Sequence, residues 1–150
     1  MRILLLAVFA LVLVACDSGT DETTSVTITR AEISDLPFST SPDPNEWNDA
    51  YLVFRVGSVN VRATRNDTED INASDLSFEF DFGSDITLTD LGQDLVVEAK
   101  SRDGSSLNDD TLISETQPVS IQSLVDAQST SRQFSSADGQ FRVRLNLEYD

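Results

Sequence analysis

Strict alternation of apolar and polar residues is the feature that most constrains the fold of this chain. In segment 76–82, Leu-Ser-Phe-Glu-Phe-Asp-Phe, four large apolar side chains fall on one side and Ser, Glu and Asp on the other. Segment 141–148, Phe-Arg-Val-Arg-Leu-Asn-Leu-Glu, repeats the pattern with a cationic polar side. A period of two is typical of a β-strand with one buried face. Both segments are therefore predicted to be strands.

Shorter runs rich in β-branched and aromatic residues are also predicted to be strands, separated by Gly, Asn, Asp, Ser and Pro. No stretch has sustained helical spacing, apart from a single turn around 124–127. Seven or eight short strands indicate an all-β fold, a single antiparallel eight-stranded Greek-key β-sandwich without internal repeats or a second domain. The shorter predicted strands are 26–29, 51–56, 59–63, 95–99 and 118–121.

The first 15 residues have the pattern of a signal peptide. Arg2 precedes an apolar run from Ile3 to Ala15, which as a helix would be roughly 20 Å long. A membrane span must cross a hydrocarbon core of roughly 30 Å. Segment 1–15 is therefore predicted to be a cleaved signal peptide rather than a membrane span.

The junction Leu13-Val14-Ala15-Cys16 resembles the lipobox of bacterial lipoproteins, in which the cysteine is lipidated and becomes the first mature residue. This resemblance implies a membrane anchor at Cys16 and a place in the bacterial cell envelope, facing the periplasm or the exterior. The choice between inner and outer membrane stays open. The alternative is an ordinary signal peptide followed by a chance cysteine. Residues 16–25 are predicted to be the lipidated N-terminus and a flexible tether, and 26–150 the folded domain.

Charge and the lack of histidine exclude several functions. The chain has 26 Asp and Glu against 10 Lys and Arg, no His, and a formal net charge of −16. It therefore lacks the residue for Ser-His-Asp or Cys-His catalysis and for His-ligated zinc or haem. Nucleic acid is an unfavourable partner because its phosphates repel so acidic a protein. The acidic excess with scarce lysine suggests a halophilic protein, kept soluble at high salt.

Two loops carry aspartates at the same interval. Asp43 and Asp49 are six residues apart before the predicted strand 51–56, and Asp103 and Asp109 are six apart after the predicted strand 95–99. Loops at one end of a sandwich converge, so these four carboxylates are expected to meet and to need a cation, a shared proton or more distance. An oxygen-only site suits calcium better than zinc or copper.

Asp, Asn, Pro and Gly also favour turns, so the same loops have a purely structural explanation. Three further acidic residues lie close enough to assist a metal site, but the spacing does not select them: Asp35, Glu46 and Asp110. Asp67, Glu69 and Asp70 are predicted to form a solvated surface turn. Trp47 and Phe38 are predicted either to form an apolar tip or, preferably, to fold back onto the sandwich edge.

The chain resembles the C2 domain, named after the second conserved region of protein kinase C, over nearly all of 26–149. Segment 26–37 is similar to its first strand, and 43–53 to its first calcium loop, with Ala50 in place of a usual Pro. Segment 95–103 resembles the strand that leads into the third loop. The resemblance implies a C2-like β-sandwich in which four residues match calcium ligands: Asp43, Asp49, Asp103 and Asp109.

Ser101 departs from this resemblance, because calcium-binding members carry an aspartate there. A site with one fewer anionic ligand binds calcium more weakly, yet still fills at the millimolar calcium of an extracytoplasmic space. Many family members bind no metal, so a domain without calcium is the alternative.

The leading functional hypothesis is a lipid-anchored, noncatalytic binding module whose acidic loops bind calcium and meet an envelope protein or a glycan. The alternative is a metal-independent structural or assembly lipoprotein that uses a sheet face. In that case Arg142 and Arg144 meet an acidic partner, although pairing across strands is the favoured role of these arginines. Catalysis is the least expected function, since the chain has neither a Gly-x-Ser-x-Gly nor a Ser-x-x-Lys motif.

Overall fold

The computed structural model describes residues 23–80 and 82–150. The predicted signal peptide, Cys16 and the tether up to residue 22 lie outside the described residues. The described part contains one α-helix, α1 (Ile121–Ala127), and eleven strands. The strands are β1 (Val26–Asp35), β2 (Glu46–Val56), β3 (Val59–Ala63), β4 (Glu69–Asn72), β5 (Phe78–Phe80), β6 (Ile86–Leu88), β7 (Asp94–Ser101), β8 (Thr111–Glu115), β9 (Val119–Ser120), β10 (Ser131–Ser135) and β11 (Arg142–Tyr149).

The strands form two antiparallel sheets. In the first sheet the order is β10, β11 and β1, and both β5 and β6 pair with the free side of β1. In the second sheet β3 and β4 pair with β2, β2 pairs with β7, and β8 and β9 pair with β7. Eleven segments thus fill eight strand positions, four in each sheet, because three edge strands are interrupted. The prediction of an all-β, eight-stranded antiparallel sandwich is confirmed.

The alternating pattern decides which faces are buried. Along β11, the three apolar residues Val143, Leu145 and Leu147 are buried and stand opposite Ile33, Ala31 and Ile28 of β1. Apolar residues of both sheets join one continuous core. Burying these faces removes apolar surface from water at roughly 25 cal/mol per Å², which drives the sheets together.

Segment 76–82 follows the predicted burial but not the predicted strand length. Among the described residues of this segment, Phe78–Phe80 forms a strand, which pairs with β1. Phe82 is nonetheless buried, and its ring meets that of Phe54 edge-on at 5.8 Å between centroids. Leu76 also packs against the core. The alternation therefore predicted the inward face of this segment correctly.

The first loop is shorter than expected, because β2 begins at Glu46 and not at Tyr51. Asp49 consequently lies inside a strand, at a bulge between Trp47 and Ala50, with a φ of 48°. The strand extends because β4 (Glu69–Asn72) pairs with it and buries Ile71. Residues 69 and 70 are exposed as predicted, but they belong to strand β4 and not to a turn.

Trp47 folds inward and is 4% exposed, and Phe38 packs partly buried against the core. The preferred prediction for these two aromatic residues is thus confirmed. At the start of the domain, Ser25 is buried and its amide donates to the carbonyl of Asp150 at 3.0 Å. The packed chain therefore already includes Ser25, which the sequence had assigned to the tether.

Helix α1 replaces the end of the predicted strand 118–121. The hydroxyl of Ser120 caps the helix by accepting from the amide of Ser123 at 3.4 Å, and Ile121 and Leu124 point into the core. None of the helices in the described ranges is long and apolar enough to cross a membrane.

Candidate functional site at the acidic loop end

Three chain segments meet at one end of the sandwich: the β2 bulge at 48–49, the β3–β4 connection at 64–68, and the β7–β8 loop at 102–110. The amide of Arg102 donates to the carbonyl of Asp49 at 3.0 Å, and its guanidinium lies 3.4 Å from the carbonyl of Arg65. The hydroxyl of Ser101 donates to the carbonyl of Asn48 at 3.0 Å. We call this region the acidic loop end.

Asp110 is the buried centre of the acidic loop end. Its side chain is fully buried and accepts four hydrogen bonds, which is the full capacity of a carboxylate. Two come from Nε and Nη2 of Arg65, at 2.5 and 3.1 Å. The others come from the Tyr51 hydroxyl at 2.8 Å and the Gly104 amide at 2.9 Å. This one carboxylate therefore joins a core strand to two of the loop segments.

These bonds shift the acid–base properties of the partners. Hydrogen bonding to Arg65 holds the pKa of Asp110 well below its usual range, against the opposing effect of burial. Burial raises the pKa of Tyr51 far above its usual value, and the bond to Asp110 adds to this rise. The pKa of Arg65 is raised chiefly by its bond to Asp110. Asp110 and Arg65 therefore stay charged, and Tyr51 stays neutral, at physiological pH.

Gly104 allows the β7–β8 loop to fold back on itself. A Cβ at this position would lie 2.6 Å from the backbone carbonyl carbon of Asp109, closer than any normal contact. The Gly104 carbonyl also accepts from Nη2 of Arg65 at 2.9 Å. A glycine is required here by close approach of the backbone.

The two predicted ligands of this loop are exposed and bonded locally. Asp103 accepts from the amide and the hydroxyl of Thr111, at 2.8 and 2.6 Å. Asp109 accepts from the hydroxyls of Ser106 and Ser105, at 2.7 and 3.0 Å. These donors lower the pKa of both carboxyl groups. Both side chains thus reach solvent as carboxylates held in fixed orientations.

The two predicted ligands of the first loop lie in different settings. Asp49 accepts from the Thr68 hydroxyl at 2.9 Å, and its amide donates to the Asp70 carboxylate at 3.0 Å. These bonds and the Arg102 amide connect Asp49 to the other two segments. Asp43 is bonded within its own turn, where its carboxylate accepts from the Asn45 amide at 3.0 Å.

Within residues 23–80 and 82–150, no three His, Cys, Asp or Glu side chains are grouped so as to hold a metal ion. Each of the four predicted ligands instead accepts hydrogen bonds from its own surroundings. Calcium binding stays a prediction.

The sequence analysis named Asp110 only as a residue near the proposed metal site and assigned no functional role to Arg65 or Tyr51. The spacing of acidic residues favoured Asp103 and Asp109, while Asp110 had the same side chain and no distinguishing interval. One available signal was Tyr51, which begins an apolar strand segment and whose hydroxyl needs a partner when buried.

Comparison with known proteins finds matches among solved structures. No protein-family model matches the chain, and no curated protein is similar to it. Among solved structures, one titled "Structure of a C2 domain" superposes with a TM-score of 0.46 and 11% sequence identity. The match covers 84% of this chain and 97% of that chain. It is a likeness in the arrangement of strands and extends to no ligand.

Proposed function

We propose that the protein is a lipid-anchored, noncatalytic binding module of the bacterial envelope, with the acidic loop end as its binding surface. The main support is the state of Asp103 and Asp109, which are exposed, ionised and oriented by hydroxyl and amide donors. Beneath them, the bonds of Asp110 fix the loop. Carboxylates held in this way bind with little loss of conformational entropy.

The surface suits a cation or a cationic group. Calcium is the cation proposed from the sequence, with Asp43, Asp49, Asp103 and Asp109 as ligands. The described acidic side chains are not grouped as a metal site, so calcium binding would have to draw these carboxylates together. Calcium would compete with Thr111 and with the two serine hydroxyls for the carboxylate oxygens. Such competition, together with the neutral Ser101, makes the site weak, in the range of about 10⁻⁴ to 10⁻³ M that serves extracellular modules.

A basic patch on an envelope protein or a cationic glycan would be recognised by the same chemistry. The chain has 26 Asp and Glu against 10 Lys and Arg, so its net charge is strongly negative, and some of its cations are also engaged internally. Arg55 pairs with Glu98 at 2.9 Å and with Glu115 at 3.2 Å, and Lys100 donates to the carbonyl of Leu107 at 2.8 Å.

The state of Asp110 supports the proposal of a noncatalytic module. Its four acceptor positions are filled, and its pKa is held well below the usual range, so it is a poor proton acceptor. A general base needs a free position and a pKa near the working pH. Asp110 is therefore assigned a structural role.

Calcium titration of the full chain in mild detergent tests the metal part of this proposal. For a Kd of about 10⁻³ M, about 10 mM calcium would stabilise the fold by about 1.4 kcal/mol. This corresponds to a rise in melting temperature of roughly 5 °C for a domain of this size. Asp49→Asn should abolish the rise, and an unchanged wild-type melting temperature would reject calcium binding. Magnesium is the control ion, because it dehydrates reluctantly and needs a stricter geometry.

Labelling with a radioactive fatty acid tests the anchor. The wild-type chain should incorporate label and fractionate with membranes, whereas Cys16→Ala should remain unlabelled. Label in Cys16→Ala, or none in the wild type, would contradict lipidation at Cys16.

A second candidate, a metal-independent assembly protein, is favoured by the cationic residues of β11. Arg142 and Arg144 are both exposed, and Arg144 lies 4.0 Å from Glu32, so this pairing across strands is loose. An acidic partner could bind both side chains. Reversing both charges with Arg142→Glu and Arg144→Glu should abolish recovery of such a partner from envelope extracts, and undiminished recovery would reject this function.

A further inference from the structure

Arg65 places a positive charge within the acidic loop end. Its guanidinium binds Asp110 through Nε and Nη2, and Nη2 also donates to the carbonyl of Gly104 at 2.9 Å. Its own backbone carbonyl faces the guanidinium of Arg102 at 3.4 Å. Arg65 therefore contacts the beginning and the end of the β7–β8 loop from a different chain segment.

The guanidinium of Arg65 binds the carboxylate of Asp110 in a bidentate geometry. Two nitrogen donors reach the two oxygens of Asp110, an arrangement that fixes orientation as well as distance. A lysine ammonium would supply the charge but not the planar pair of donors. Because the remaining two positions on Asp110 are taken by Tyr51 and Gly104, the carboxylate has a single allowed orientation.

The positive charge of Arg65 offsets repulsion among the carboxylates of the β7–β8 loop. Asp103, Asp109 and Asp110 lie within one short loop. Hydrogen bonds from Thr111 and from two serines lower the pKa of Asp103 and Asp109, and repulsion by the Asp110 charge opposes this lowering. A loop with three ionised carboxylates is held closed only if a positive charge offsets this repulsion. Arg65 is half-buried, with 23% of its side chain exposed, so solvent screens its attraction only in part.

We propose that Arg65 is the built-in cation of the acidic loop end and that it holds the β7–β8 loop in its binding conformation without metal. This inference rests on the proposed function, because the loop it organises is the proposed binding surface. Arg65 and Asp110 are positioning residues in this account. Ligands would contact Asp103 and Asp109, whose orientation depends on the buried pair beneath them.

Hydrogen exchange of individual amides in the full chain tests this inference. Three amides report on the loop: Gly104, Asp109 and Thr111, which donate to Asp110, Ser106 and Asp103. In the wild-type protein these amides should already be protected in excess chelator, with no metal bound. Arg65→Gln should lower it by at least about tenfold, because the loop then opens without unfolding the domain.

Arg55→Gln is the matched control. It removes an arginine that also pairs with two carboxylates. These carboxylates, Glu98 and Glu115, lie outside the β7–β8 loop. It should leave exchange of the three loop amides unchanged. The amide of Val97, which donates to Thr116 in the core, reports global unfolding in every variant.

Arg65→Lys keeps the positive charge but removes the planar pair of donors. If Arg65→Gln folds poorly, Arg65→Lys is the variant that tests the inference. It should reduce protection of the loop amides while leaving the Val97 amide unchanged, since a purely structural loss would affect both. The inference is overturned if loop exchange in both Arg65 variants equals that of wild type, or if chelator alone releases the wild-type loop. If instead no ligand ever binds, only the proposed function fails, because the exchange measurements need no ligand.

Discussion

The hydroxyl of Tyr51 donates to Oδ2 of Asp110 over 2.8 Å, and neither side chain is exposed to solvent. This bond connects a central strand of the second sheet to the last residue of the β7–β8 loop, 59 positions along the chain. A buried phenol and a buried carboxylate each need a partner, and here each supplies one to the other. Through this pair the core determines the shape of the exposed acidic surface.

Replacing Asp110 by asparagine keeps the side-chain shape and removes the charge. We expect Asp110→Asn to lower the free energy of unfolding by about 3 kcal/mol, because it leaves a charged partner without its counterion. Urea unfolding measures the change. Asp126→Asn, on the exposed side of α1, should change it by less than about 0.5 kcal/mol. A loss for Asp110→Asn as small as that of the control would contradict the structural role of Asp110.

The two tyrosines offer a matched comparison. Tyr51 donates to a carboxylate, whereas Tyr149 donates to the neutral carbonyl of Ser129, and both bonds are 2.8 Å long. Bonds to charged groups contribute about 1.5 to 3 kcal/mol and neutral ones about 0.5 to 1.5. Tyr51→Phe should therefore destabilise the protein more than Tyr149→Phe in urea unfolding. Equal losses in the free energy of unfolding would mean that the charge of Asp110 does not strengthen its hydrogen bond to Tyr51.

Acid should remove the contribution of Asp110. Its folded pKa lies well below the unfolded value of about 3.9, so its stabilisation is complete above about pH 4 and declines as the pH falls further. The difference in unfolding free energy between wild type and Asp110→Asn should be constant from about pH 5 to 7 and shrink below about pH 4. A difference that persists undiminished at about pH 2 would contradict the lowered pKa.

Gly104→Ala should disturb the loop by steric contact alone. The new methyl group would meet the Asp109 backbone, and such overpacking typically costs about 1 to 3 kcal/mol. Gly92→Ala is the control, since a Cβ there approaches only the Asp90 side chain, at 3.7 Å. Thermal melting of both variants distinguishes them, and equal melting temperatures would show that the loop relaxes freely.

Salt should stabilise the wild-type protein, because screening weakens repulsion in a chain of net charge −16. Melting temperatures in dilute buffer and in about 1 M salt, where the Debye length is about 3 Å, measure this effect. The loss caused by Asp110→Asn should be nearly the same in both buffers, since a buried pair is screened little. Equal wild-type stability in both buffers would reject the halophilic hypothesis.

Strand prediction worked where several alternating apolar residues mark the buried face, and it failed for β4, β8 and β10, whose buried apolar residues are one each: Ile71, Ile113 and Phe134. The alternation in 141–148 predicted β11 to within one residue at each end. By contrast, β4, β8 and β10 are rich in polar residues and were not predicted, because they pair at sheet edges next to strongly apolar strands. Edge strands owe their conformation to the neighbour to which they bond, and no local pattern marks them.

The sequence by itself determined the all-β class, the buried faces and the excess of acidic residues in the loops, because these depend on local alternation and composition. Only the tertiary structure distinguished Asp109 from Asp110, two adjacent and chemically identical residues. Asp109 reaches solvent and bonds nearby serines, whereas Asp110 is buried against Tyr51 and Arg65, at 59 and 45 positions along the chain. The role of a carboxylate depends on its burial and on which cation the fold brings to it, and both arise from contacts between distant segments.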